Sequence, residues 1–250
     1  LHSESRKEKA VLTMLIAGCI GVLLFSLSRG SWLASIAAIA ALFVTAKRRS
    51  MFIAVVVIGF LLLPFVVPEV VTRRIAFTFS QVDLANRQVA IGPVRLDTSL
   101  SARLMNYLDV LKNLPRHLFF GFGITGFMFI DGQFFRVLIE MGVIGLTAFI
   151  WLLGRLHAVI RTAMNAEGVP PRLRGMAAGF YAGFWAIVVH ALSANSFIIV
   201  RIAEPFWCLA ALTVICAIHK DEDWERAEAE PAEYGYIPSR ELLRRSGKYL

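Results

Sequence analysis

The feature of the sequence that most constrains its fold is a series of six apolar blocks separated by charged or polar linkers. About 20 residues of helix cross the roughly 30 Å hydrocarbon layer of a membrane, and each block is close to that length. With 57% hydrophobic and 18% charged residues, a soluble chain could not bury its apolar surface in one core. We therefore predict an all-α polytopic membrane protein with about six transmembrane helices, at residues 10–27, 31–46, 51–67, 134–153, 176–192 and 200–218.

The distribution of basic residues predicts the orientation of these helices. Lys and Arg are retained on the cytoplasmic side of a membrane. Most of them lie before the first block, near residues 47–49, between residues 155 and 174, and after the last block. We therefore expect both ends of the chain in the cytoplasm and the long segment 68–133 on the outer face.

Four segments follow from this topology. Residues 1–67 hold three transmembrane helices with short loops, 68–133 form one large outer loop, and 134–219 hold three more helices. The tail, 220–250, alternates acids and bases and has few apolar residues, so we expect a partly disordered cytoplasmic extension. Because the sequence starts at Leu1 and not at Met, we expect further helices upstream.

Composition and spacing argue against several functions. The net charge of +8 is compatible with nucleic-acid binding, but the basic residues are scattered around helix ends, so we predict no nucleic-acid partner. Cys19, Cys208 and Cys216 lie in apolar blocks without disulfide or metal spacing. No Walker A loop, zinc pattern or serine-nucleophile elbow occurs, and we predict neither a metal nor a cofactor.

The second half of the large loop predicts an amphipathic helix at the membrane surface or over a cavity. Capping residues at 97–99 precede it, and Pro115 ends it. A flexible turn with glycines 121, 123 and 126 then leads to Asp131, while a Gly92-Pro93 break suggests irregular or weakly stranded structure earlier in the loop. The apolar face of the helix is formed by Leu104, Tyr107, Leu108, Leu111 and Leu114.

Three arginines on the predicted outer side are candidates for function, because charges at the ends of spans are costly in lipid. Arg29 lies in the turn between the first two blocks, where a snorkelling lipid anchor and a phosphate-binding fork are equally compatible with its position. Arg103 on the loop helix and Arg116 after it are explained as well by a solvated polar face as by ligand binding.

Acidic and further basic groups frame the fourth block. Asp131 is predicted as the N-cap of its helix and as a candidate general base. Arg136 and Glu140, four residues apart, predict an intrahelical ion pair. Two other polar sites in apolar blocks are assigned to supporting helix-to-helix hydrogen bonds, namely His190 and the pair Arg201 and Glu204.

Several short motifs occur in a fixed order around the long loop. They are Ser28-Arg29-Gly30-Ser31-Trp32, then Arg103 on a helix ending Asn113-Leu114-Pro115, then Gly121-Phe122-Gly123, then Asp131 leading into Glu140-Met141-Gly142-Val143-Ile144-Gly145-Leu146. In this order they resemble the O-antigen ligase and polymerase superfamily of bacterial inner membranes. The resemblance runs from about residue 11 to residue 218.

The resemblance implies a metal-independent, inverting glycan transfer at the periplasmic face. The donor would be a glycan on a polyprenyl-diphosphate carrier, undecaprenyl pyrophosphate, and the acceptor a saccharide or glycolipid. The six helices would form the C-terminal half of the enzyme, and Arg29 and Arg103 would hold the donor diphosphate. Ligases of the superfamily usually carry a histidine where this chain has Asp131, whereas polymerases vary more at that position.

On these grounds the predicted catalytic residues are Arg29, Arg103 and Asp131. The predicted substrate-binding residues are Arg116, Arg136, Tyr107 and Arg201. Two other classes stay open. One is a transporter or flippase of lipid-linked or anionic substrates, for which discontinuous helices or repeated halves would be the signature. The other is a non-catalytic membrane assembly subunit, in which the arginines only anchor lipid headgroups.

Overall fold

A computed structural model describes residues 6–46, 98–166 and 169–218, with short stretches at 49–50, 53–54, 56–57, 69, 73, 90–91 and 94–95. The third predicted span lies almost wholly outside the described residues, as does the predicted tail. The described elements are α1 (Arg6–Phe25), α2 (Arg29–Thr45), β1 (Ala90–Ile91), β2 (Val94–Arg95), α3 (Thr98–Asn113), a 3₁₀ turn (Leu114–His117), α4 (Gln133–Asn165), α5 (Pro171–His190) and α6 (Val200–Ile218).

The fold is helical, as predicted, with one small exception. β1 and β2 are two-residue antiparallel strands, and they flank the Gly92-Pro93 positions at which weak strand structure was expected. α1 and α2 are joined by a tight turn in which the Ser28 side chain accepts a 3.3 Å hydrogen bond from the Ser31 N–H and so caps α2. Arg29 thereby becomes the first residue of α2.

The predicted amphipathic loop helix is present as α3, and part of its predicted apolar stripe is exposed. Val110 is fully buried against Ile130 and Ile139, and Ser101 is also buried. Leu108 and Leu111 are both exposed. Within the described residues α3 packs against the start of α4, so only part of its apolar stripe meets protein there.

α4 is two helical arms joined at a break. Gly142 has φ 68° and ψ −169°, far from helical values. The rings of Phe134 and Phe149 lie 5.8 Å apart, whereas a straight helix would separate them by about 22 Å along its axis. The first arm therefore folds back toward the second, so the predicted span 134–153 is bent at Gly142. The second arm, 143–165, is about 34 Å long at 1.5 Å per residue.

The remaining helices pack as a bundle around the second arm of α4. α2 lies along α5 in the most extensive helix contact of the described chain, and α4 contacts both α5 and α6. Their common core is aromatic and aliphatic, with Leu156, Ile160, Phe180, Phe184 and Phe206 buried together. At one end of this bundle α2 begins and α5 ends.

Several of the helices have the character expected of membrane spans. α4 and α6 are long and apolar enough to cross a membrane, and α1 and α2 contain shorter apolar helices, Lys9–Phe25 and Arg29–Thr45. Large apolar side chains are exposed along these helices, for example Met14, Ile36 and Trp151. The count of six spans and the outer placement of the large loop stay predictions.

Candidate functional site

A short turn after α5 fastens the start of α4 to the bundle. The Gln133 N–H donates to the Ala191 carbonyl at 2.8 Å, and the Gln133 side-chain oxygen accepts from the Phe197 N–H at 3.3 Å. The buried Asn195 amide donates to the Ile130 carbonyl at 2.9 Å. Segment 130–133 and turn 191–199 therefore form one rigid junction at the end of the bundle.

Tyr107 brings α3 to this junction. Its hydroxyl donates to the Leu192 carbonyl at 2.8 Å, and its ring stacks on Phe135 with 4.0 Å between centroids. Gly132, at φ +106°, lies directly beneath the hydroxyl, where any Cβ would collide with it. Tyr107, a predicted substrate-binding residue, thus uses its proton to hold the backbone in place.

Two charged side chains near Tyr107 affect the pKa of its hydroxyl. Burial raises the pKa of Tyr107 above its ordinary value, the nearby Arg103 guanidinium opposes this rise, and the Asp131 carboxylate adds to it. Tyr107 therefore stays protonated through the physiological range. The same interactions show that Arg103 and Asp131 both lie within electrostatic reach of this hydroxyl.

Arg103 carries an unused donor in a buried position. Its Nε is buried and has no hydrogen-bond partner within the part of the chain that the structure describes. A buried donor left without a partner costs about 1–3 kcal/mol, so such groups are rare in folded proteins. The positive charge of Arg103 also acts on His190 at the end of α5. An anion placed here would gain a charge-assisted hydrogen bond.

His190 lies between α5 and the start of α2. Its Nδ1 is 2.7 Å from the hydroxyl oxygen of the buried Ser196, and this contact fixes the orientation of the imidazole. Its Nε2 lies on the side of Gly30, 3.7 Å from the place where a Cβ of that glycine would be. Gly30 follows the half-buried Arg29. The packing of α2 on α5 thus places Gly30 beside the histidine.

Asp131 is half-buried and immediately precedes the junction. Its prediction as the helix N-cap is wrong, because Gly132 occupies that position and makes no side-chain cap bond. The Gln133 N–H, which a capping side chain would otherwise serve, is satisfied by the Ala191 carbonyl. The Asp131 carboxylate is therefore not used as a cap. We call the polar cluster these residues together with Arg29, which begins α2 at the same end of the bundle: Arg29, Arg103, Tyr107, Asp131, His190 and Ser196.

The predicted ion pair on the first arm of α4 is confirmed. Arg136 Nε and Glu140 Oε1 are 3.0 Å apart, with about 15% of each side chain exposed, and the Arg136 guanidinium lies over the Phe129 ring at 5.3 Å. Because Glu140 neutralises it, Arg136 is a weaker candidate for binding an anion than Arg103.

Two predicted substrate-binding arginines lie outside the polar cluster. Arg116 is exposed in the 3₁₀ turn, and Arg201 is exposed in the first turn of α6. Both Arg201 and Glu204 are exposed, and no hydrogen bond joins either to another helix among the described residues, so the expected helix-to-helix hydrogen bond stays a prediction. No three His, Cys, Asp or Glu side chains among the described residues are grouped as a metal site would require.

The sequence predicted only a supporting hydrogen bond for His190, and it did not identify Gln133, Asn195 or Ser196 as residues near the site. The available signal was the polar run Ser193-Ala194-Asn195-Ser196 between two apolar blocks. Small polar side chains there indicate a turn that supplies hydrogen bonds to its neighbours.

The fold and the polar cluster together define a helical membrane protein with a cationic site at one end of its bundle. Residues 12–150, more than half of the chain, match the family model described as O-antigen ligase, and the chain belongs to this family. Membership implies ligase- or polymerase-type processing of glycans by a bacterial membrane protein. No curated protein and no solved structure gives a significant match. The matched range contains Arg29, Arg103 and Asp131 but ends before His190 and Ser196.

Proposed function

We propose that this protein transfers a glycan from a polyprenyl-diphosphate carrier to a sugar acceptor at the periplasmic face of the bacterial inner membrane, in the synthesis of a surface polysaccharide. The observation that carries the proposal is the buried, unpartnered Nε of Arg103 in a cationic cluster. A diphosphate oxygen is the natural partner for such a donor, since guanidinium groups bind phosphate through charge-assisted hydrogen bonds.

The reaction follows from the charges in the polar cluster. The acceptor hydroxyl oxygen attacks the anomeric carbon, and the bond from that carbon to the diphosphate oxygen breaks with inversion. Arg103 and Arg29 stabilise the negative charge that develops on the departing diphosphate. The hydroxyl proton passes to the Asp131 carboxylate as general base. No step in this scheme requires a metal.

His190 is a second proton acceptor within the same cluster. Its imidazole is held by Ser196, lies beside Gly30 and is within the field of Arg103. Two single variants, Asp131→Asn and His190→Gln, show whether Asp131 or His190 is the general base. The general base is the residue whose replacement lowers kcat while leaving the affinity for donor lipid unchanged, because a base acts in the transition state.

The proposal is tested with a deletion strain complemented by full-length variants at matched membrane levels. Arg29→Lys and Arg103→Lys keep the charge but lose the planar fork, and we expect both to lose glycan transfer on a polysaccharide gel. Arg161→Lys, at an exposed position on α4, is the matched control. Transfer by a stable Arg29→Lys/Arg103→Lys double variant at the wild-type rate contradicts the proposal.

The glycan pattern of the deletion strain also separates the two activities of the family. Loss of polymer with single repeat units still attached indicates a polymerase. Loss of all attached glycan, with lipid-linked polymer accumulating, indicates a ligase. An unchanged pattern in the deletion strain points to the non-catalytic assembly role.

A transporter or flippase is the second candidate, and the break in α4 favours it, because discontinuous helices build many transporter sites. Against it, the backbone groups at the break are bonded within the protein: the Val143 N–H to Leu118 and the Gly123 N–H to Glu140, both at 2.9 Å. Translocation of a labelled polyprenyl-diphosphate lipid by the purified protein in liposomes, without transfer of its glycan, would favour this candidate.

A further inference from the structure

We infer that residues 118–128, which we call the apolar loop, contact the acyl chains of the outer leaflet and are not part of a water-exposed loop. The loop contains no charged residue. Phe122 and Phe127 pack against the protein, whereas Phe119, Phe120, Ile124 and Met128 are exposed, Phe120 and Ile124 each to 78%. A run of exposed apolar side chains of this size marks a contact surface.

Part of the backbone of the apolar loop is hydrogen-bonded to the break in α4. The Phe122 N–H donates to Ile139 at 2.8 Å and the Ile144 N–H to Phe119 at 3.4 Å, in addition to the two bonds described above at the break in α4. Irregular backbone at membrane depth is tolerated only where its polar groups are satisfied by protein. These four bonds satisfy the N–H groups of Phe122, Gly123, Val143 and Ile144 within the protein.

The position of the break places the loop at the edge of the hydrocarbon layer. The second arm of α4, 143–165, is about 34 Å long, slightly more than the roughly 30 Å thickness of that layer. Its first turn, with the exposed Val143 and Ile144, therefore lies near one boundary. Since these two residues donate their N–H groups to Leu118 and Phe119, the apolar loop lies at the same level.

The occupant of this surface is indicated by its continuity with the lipid-facing side of α4. Exposed apolar side chains run from the first turn of the second arm to Ile150 and Trp151, and the apolar loop extends the same surface at its upper end. A membrane-spanning helix presents such a surface to acyl chains. The acyl chains that contact α4 therefore contact the apolar loop as well.

The inference is tested by spin-label accessibility on the full-length protein in phosphatidylcholine and phosphatidylglycerol liposomes that contain no polyprenyl lipid. Cys19, Cys208 and Cys216 are replaced by Ala, and a nitroxide is attached at Phe120→Cys or Ile124→Cys. Ile150→Cys on the lipid-facing side of α4 and Asn165→Cys at its far end serve as lipid and water references. Collision rates are measured with oxygen, which partitions into lipid, and with a water-soluble nickel chelate.

We expect the oxygen-to-nickel ratio at positions 120 and 124 to match that at position 150 and to exceed that at position 165 several-fold. A ratio like that at position 165 overturns the inference, because the loop is then in water. Low collision rates with both reagents also overturn it, because protein then covers the surface. As an independent check, Phe120→Trp fluorescence is expected to be quenched by lipids brominated on their acyl chains. These readouts need no turnover, so they stand apart from the test of glycan transfer.

Discussion

At position 103, folding stability and the proposed chemistry favour different side chains. The buried Arg103 Nε lacks a hydrogen-bond partner among the described residues, and this costs about 1–3 kcal/mol in the ligand-free protein. A group that is costly until a ligand arrives is expected at a binding site, because binding then supplies the missing partner. Arg29 and Arg136 lack this character: the first is only half-buried and the second is paired with Glu140.

Arg103→Met replaces the guanidinium by an apolar chain of similar length. We expect loss of glycan transfer together with an unchanged or higher unfolding temperature of the purified protein, since an unsatisfied buried donor is removed. Arg161→Met, at an exposed position, is expected to change neither. Thermal unfolding in detergent and the polysaccharide gel measure the two effects. A destabilised Arg103→Met variant that still transfers glycan would contradict the assignment.

Tyr107→Phe removes a hydrogen bond while keeping the ring that stacks on Phe135. Because the pKa of Tyr107 is raised above the ordinary value of 10.0, the folded state holds its phenol proton more tightly than the unfolded state does. The stability that this supplies is complete below pH 10 and is lost as the pH rises through the folded pKa. We expect Tyr107→Phe to lower the free energy of unfolding by about 1 kcal/mol at pH 8. Its stability should also fall less steeply above pH 10, which unfolding curves from pH 8 to 11 measure; equal slopes would contradict this.

At the scale of elements, the break in α4 depends on one glycine. Gly142 combines a φ of 68° with a close approach of the Phe119 backbone, so that a Cβ there would collide with the Phe119 carbonyl. We expect Gly142→Ala to destabilise the protein by about 2–4 kcal/mol through backbone strain and steric overlap. It should also release the apolar loop from α4, which hydrogen exchange of residues 118–123 measures.

Gly154→Ala is the matched control for this prediction. Gly154 lies in the regular second arm of α4, and no atom lies within 4 Å of its added Cβ. The substitution is expected to be neutral or stabilising by up to about 1 kcal/mol, because alanine is the better helix former. Equal destabilisation by both variants would contradict the prediction that the break in α4 depends on Gly142.

Sequence patterns identified the helices well but not how they bend and meet. The run 134–153 is apolar enough to predict a span, and hydropathy contains no information on direction, so the reversal at Gly142 was invisible. A glycine inside a regular helix and a glycine at a break look alike in sequence. The structure identifies Gly142 as the second kind, because the Phe119 backbone approaches it closely. Asp131 is a good capping residue, yet the Ala191 carbonyl, 60 residues away in the chain, takes the N–H it would have served. The pairing of His190 with Ser196 likewise depends on the conformation of a turn.

At the scale of the whole molecule, the two ends of α5 relate the polar cluster to the membrane. Arg172 and Arg174 lie in the first turn of α5 and His190 at its end, about 24 to 27 Å away at 1.5 Å per residue. That distance is close to the roughly 30 Å of the hydrocarbon layer. The α4–α5 linker and the polar cluster therefore lie on opposite sides of the membrane. The positive charges near the linker predict that the linker is cytoplasmic.

This orientation is measured with reporters fused after Asn165 and after Asn113 in the full-length context. We expect green fluorescence, which needs the cytoplasm, only from fusions after Asn165, and alkaline phosphatase activity, which needs the periplasm, only from fusions after Asn113. The reverse pattern would place Arg103 and His190 at the cytoplasmic face. The arginines would then meet the carrier lipid on the side where its glycan is assembled, before it crosses the membrane, and glycan transfer at the periplasmic face could not be their role.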